Sequence, residues 1–66
     1  MNTYVTGNTI KELRESRGLT QAELAEKLGV SSKTISKWER AEAIPDAGVL
    51  MQMSRMFQVT VDYLLT

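Results

Sequence analysis

Between Ser31 and Arg40 the chain reads SSKTISKWER, a run crowded with hydroxyls and cations: Ser31, Ser32, Thr34 and Ser36 beside Lys33, Lys37 and Arg40, against the single anion Glu39. Such groups donate hydrogen bonds to anionic oxygens and to other acceptors, and nothing beside them would activate a hydroxyl as a nucleophile. The 66 residues include no cysteine and no histidine, which removes thiol chemistry, disulfides, the usual zinc ligands and the commonest general base at neutral pH. The chemistry on offer is recognition, with no enzyme activity, cofactor or metal expected.

These residues must be held by helices. Ser31 is a cap, and Ile35 with Trp38 marks the buried side of the helix it opens, so Ser32, Lys33, Ser36 and Lys37 face away from the core. Before it, Thr20 and Glu23 form a capping box and start a helix at Gln21, with Leu24, Ala25 and Leu28 as its inward stripe. Gly29 supplies the positive φ that lets the chain leave this helix and enter the next after only Val30. Lys33 and Lys37 stand four residues apart, which sets two like charges side by side. An anion would relieve that repulsion, although an ordinary solvated face has the same composition.

Upstream, Ile10, Leu13 and Arg17 recur at helical spacing, Thr6 reads as a cap with Val5 and Ile10 as a hydrophobic staple, and Gly18 is a stop, so a first helix is expected from about Gly7 to Arg17. Downstream, Pro45 and Asp46 open a helix from Asp46 to Phe57, with Leu50, Met53, Met56 and Phe57 inward; Met51 is read with Met53 and Met56 as adaptable core filling. Thr60 caps a last short helix, Val61 to Leu65. Five short helices in an all-α fold are expected, packed around one core as a single domain over residues 1–66.

The formal net charge is zero, but its distribution is uneven. Three cations oppose one anion between Ser31 and Arg40, while Glu42, Asp46 and Asp62 face Arg55 alone in the tail beyond Arg40. A domain this small buries roughly 60% of the surface its unfolded chain exposes and has no material for a deep catalytic cleft. No apolar run nears the roughly 20 residues that span a bilayer, and the first residues lack the pattern of a signal peptide. A cytoplasmic location is expected.

Taken together, Ile10-Lys11-Glu12-Leu13-Arg14, Gly18-Leu19-Thr20-Gln21-Ala22-Glu23-Leu24-Ala25, Leu28-Gly29-Val30-Ser31, Ile35-Ser36-Lys37-Trp38-Glu39-Arg40, Pro45-Asp46 and Val59-Thr60-Val61-Asp62-Tyr63-Leu64-Leu65 resemble, in order and spacing, the helix-turn-helix domain of phage repressors and Cro proteins. The resemblance covers nearly the whole chain. It implies a compact five-helix, lambda-repressor-like domain in which the second helix lies across the DNA backbone and the third enters the major groove. The base-reading positions would then be Ser32, Lys33 and Lys37, with Ser36 close by; lysine donates to the O6 and N7 acceptors of guanine. Gln21, beside free amides at a helix N-terminus, would anchor a phosphate, with Thr34, Arg40 and secondarily Ser31. On residue type alone, Gln21 is a solvated helix former. Resemblance also implies an ion pair between Arg14 and Glu39, whose alternative is two solvated charges. It implies sequence-specific binding of double-stranded DNA by a transcriptional regulator, most simply a repressor, as a homodimer on a near-palindromic operator, with Tyr63 and Leu64 at the dimer contact. Trp38 reads as core, because a duplex offers no unstacked base.

The chain departs from this pattern at Ala41-Glu42, where relatives commonly carry glycine then lysine, at Gln58, where a helix-ending glycine is usual, and at Gly48. The reversed charge at Glu42 and the zero net charge keep a second reading open: an antitoxin-like protein-interaction module on the same fold.

Overall fold

The computed structural model describes residues 2–66 as five α-helices: α1 (Thr3–Ser16), α2 (Gln21–Leu28), α3 (Ser32–Glu39), α4 (Ala47–Phe57) and α5 (Val61–Leu65). Among the described residues there is no strand, and no helix is long and apolar enough to cross a membrane. Side-chain caps open every helix. Asn2, Thr20, Ser31, Asp46 and Thr60 each accept from a backbone amide of the first turn, which satisfies donors the helix itself cannot pair.

Two boundaries differ from those the sequence suggests. α1 starts at Thr3, with the Asn2 carboxamide accepting from Tyr4 and Val5, so Thr6 is no cap. Thr6 is buried inside the helix, its hydroxyl without a partner among the described residues. The reason is tertiary: the next residue, Gly7, presses α1 against the C-terminal end of α3. A Cβ there would run into the Trp38 carbonyl oxygen and stand 3.2 Å from that of Glu39. In α4, Asp46 lies outside the helix as its cap, accepting from Val49 at 2.9 Å, and not in the first turn.

The first four helices end on residues in the left-handed region. At Gly18 and Gly29 the φ values of 68° and 72° suit glycine, and the amides of Leu19 and Val30 close back onto the Arg14 and Ala25 carbonyls. Ala41 and Gln58 adopt the same conformation, at φ 62° and 58°, without being glycine. These are two of the positions where the sequence departs from the repressor pattern, and each carries the steric cost of a Cβ in that region.

The core joins all five helices: Ile10 from α1, Leu24, Ala25 and Leu28 from α2, Ile35 and Trp38 from α3, Leu50, Met53 and Phe57 from α4, and Leu64 from α5. Met56 is half-buried, but Met51 is exposed and does not fill the core. Arg17, expected on the inward stripe of the first helix, is an exposed residue whose guanidinium donates to the Phe57 carbonyl at 2.8 Å and lies 5.7 Å from that ring's centre.

Candidate nucleic-acid interface

The pair α2 and α3 is set by local hydrogen bonds. Thr20 Oγ1 accepts from the Glu23 amide at 3.0 Å, and the Glu23 carboxylate accepts from the Thr20 amide at 2.9 Å. The backbone hydrogen bond from Thr20 holds the Glu23 carboxyl below the usual carboxylate range. Gly29 then turns the chain, and Ser31 Oγ accepts from the Thr34 amide at 3.1 Å to open α3. Ile35 and Trp38 turn inward from α3, so its other side is presented outward.

On that side Ser32, Lys33 and Lys37 are exposed, and Ser36 is half-buried between them and the body. Among the described residues no carboxylate lies within ion-pair distance of Lys33 or Lys37. Their ammonium groups remain available to an outside acceptor. The residues expected at phosphates are placed differently. Ser31 and Thr34 hydroxyls lie 3.0 Å apart, one donating to the other. Arg40 donates through Nε to the Ser36 carbonyl at 3.3 Å and through Nη1 meets Glu42 at 3.0 Å, so the acid of the Ala41-Glu42 departure shields this cation in an exposed pair. An exposed pair of this kind contributes roughly 0–1 kcal/mol and yields readily to a stronger acceptor.

Arg14 and Glu39 are brought together in a two-pronged pair. Arg14 Nε donates to Glu39 Oε2 at 2.7 Å and Nη2 to Oε1 at 3.1 Å, while Nη1 donates to the Leu19 carbonyl at 2.7 Å. The Glu39 side chain is only 4% exposed, and the hydrogen bond to its carboxylate raises the Arg14 pKa above its already high ordinary value. Gln21 joins this group, its Nε2 donating to Glu39 Oε1 at 3.1 Å. That bond, spanning α2 and α3, carries no local sequence pattern that could have announced it.

Of the two residues expected at a dimer contact, Tyr63 is half-exposed but Leu64 is fully buried. Leu64 belongs to the core: on a helix of five residues whose one apolar side must face α1 and α4, it is the residue that turns inward. It offers no surface to a second copy.

A helix-turn-helix family model, HTH_3, matches residues 10–64. The chain belongs to the helix-turn-helix family. Within it, the chain is 41% identical over 59 residues to the transcriptional regulator ImmR of Bacillus subtilis, covering 89% of this chain and 46% of ImmR. It resembles the C2 repressor of Salmonella phage P22, whose crystal structure with a synthetic operator superposes with a TM-score of 0.85 at 37% identity, covering 91% of each chain. It also resembles SinR, a master regulator for biofilm formation solved in complex with DNA, with a TM-score of 0.81 at 35% identity over 92% of this chain and 98% of that one. The chain spans less than half the length of ImmR and of the C2 repressor, 46% and 30%. This helix-turn-helix chain shares with C2 and SinR the whole five-helix arrangement, not the α2–α3 pair alone.

Proposed function

We infer that this chain is the DNA-reading part of a transcriptional regulator, binding duplex DNA with α3 in the major groove and the N-terminus of α2 against the phosphate backbone. The observation that carries the reading is the outward side of α3, where Lys33 and Lys37 stand exposed and, among the described residues, without an ion-pair partner on a chain whose net charge is zero. Ser32, Lys33 and Lys37, with Ser36, read base edges; Gln21, Thr34, Ser31 and Arg40 hold phosphates. The likeness to C2 and SinR, both solved on DNA, supports this reading over a protein-interaction module.

The regulator acts most simply as a repressor in the cytoplasm, occupying promoter DNA as a homodimer. Two copies place two recognition helices about one DNA turn apart on a near-palindromic site, with the exposed Tyr63 at their contact. The test is selection of bound duplexes from a random pool. A near-palindromic consensus is expected, with the logarithm of affinity falling by about 0.9 per decade of salt for each phosphate neutralised. Absence of binding to any duplex at low salt would overturn the reading.

A further inference from the structure

We propose that Glu39 is a positioning residue for DNA contact: balanced by Arg14, its carboxylate holds the Gln21 side chain at the N-terminus of α2 in the orientation that meets a phosphate. The inference rests on the DNA reading above and extends it to a residue that does not itself reach the duplex.

A glutamine amide offers two N–H donors, and the contact between Gln21 Nε2 and Glu39 Oε1 at 3.1 Å uses one of them. The other stays available while the nitrogen is held in place. Gln21 is half-buried, whereas Gln52 and Gln58 are exposed. A bare carboxylate beside a polyanion would repel it. Glu39 avoids this because Arg14 meets both of its oxygens, at 2.7 and 3.1 Å, and because its side chain is almost wholly covered. The same guanidinium donates to the Leu19 carbonyl at 2.7 Å, just ahead of the cap that opens α2. Arg14 thus fixes the backbone entering α2, and Glu39 fixes the first side chain on it. A long side chain already held in place in the free protein has less rotamer freedom to lose on binding, so the contact it makes is stronger for the complex.

The test is a mutant cycle on DNA affinity. Wild type, Gln21→Ala, Glu39→Ala and the double variant are titrated against the duplex recovered from the random pool, well below the lowest melting temperature of the set. Gln21→Ala and Glu39→Ala should each weaken binding by about two- to tenfold, the range that ordering one such side chain is worth, and the double variant should bind no worse than the weaker single. Losses that multiply, or a Glu39→Ala variant that binds as well as or better than wild type, would overturn the proposal while leaving the DNA reading standing. A wild type that binds no duplex overturns both. A stability role alone would lower the melting temperature without making the affinity loss depend on Gln21. Should Glu39→Ala fail to fold, side-chain amide relaxation in the isotope-labelled wild type decides: the Gln21 amide should be more ordered than those of Gln52 and Gln58, and equal mobility in all three would overturn the proposal.

Discussion

At the C-terminal end of α3 the polar groups of the junction are paired and the backbone touches a neighbour: Glu39 accepts from Arg14 and Gln21, and the carbonyls of Trp38 and Glu39 lie against Gly7 of α1. At its N-terminal end Ser32 and Lys33 are exposed, and the Ser31 hydroxyl caps the helix. The same helix is thus tied to α1 and α2 by polar contacts at one end and presents exposed polar side chains at the other. The anchored end sets where the helix points, while the exposed side chains at the open end take no part in the core. The two ends should therefore fail differently when altered.

The largest effect belongs to the anchored end. Gly7→Ala places a methyl against backbone carbonyls that no side-chain rotation can move, and should cost about 3 kcal/mol or more in stability. At about 4–8 °C per kcal/mol for a domain of this size, thermal melting will show it plainly. A melting temperature within a few degrees of wild type would mean that α1 slides off α3 at little cost, and the contrast between the ends would weaken.

Next come Arg14→Ala and Glu39→Ala, each expected to destabilise by about 3 kcal/mol, because either leaves a largely covered charge without its partner. The double variant should lose less than the sum. Additive losses in chemical denaturation would show that the two charges do not depend on each other. Smaller still, and of opposite sign, is an exchange of glycines. Ala41→Gly removes a Cβ from a left-handed residue at φ 62° just beyond the anchored end, and Gly48→Ala fills an open helical position where the new methyl meets only Asp46 Oδ1 at 3.4 Å. Each should stabilise by about 0.5–1 kcal/mol. Destabilisation by Ala41→Gly would show that the conformation after α3 is relieved in some other way.

What the sequence made legible was local. The Thr20–Glu23 box, the Ser31 and Thr60 caps and the stops at Gly18 and Gly29 act within a few residues, so their types and spacing announce them. The start of α1 was not legible, because Thr6 beside Val5 and Ile10 has the form of a cap and staple, and only the contact of Gly7 with α3 shows that the helix must already be running there. Leu64 was misplaced for a similar reason: which side of a five-residue helix is buried is decided by what lies across from it. At the site, the exposure of Ser32, Lys33 and Lys37 followed from the inward pair Ile35 and Trp38, a matter of helical period. The bonds from Gln21 to Glu39 and from Arg40 to Glu42 depend on side-chain reach across or beyond a helix end, which no periodicity encodes.

The division between an anchoring end and a reading end is tested most directly by comparing Lys33→Ala with Gln21→Ala on the preferred duplex and on duplexes altered one base pair at a time. Phosphates carry no sequence information, so losing Gln21 should weaken binding by a similar factor on every duplex. Lys33→Ala should cost about 1–3 kcal/mol on the preferred duplex and little where the base pair it reads is already changed, while its melting temperature stays near wild type. Equal losses for Lys33→Ala on every duplex would make Lys33 another phosphate contact and contradict the assignment of base reading to this end of α3.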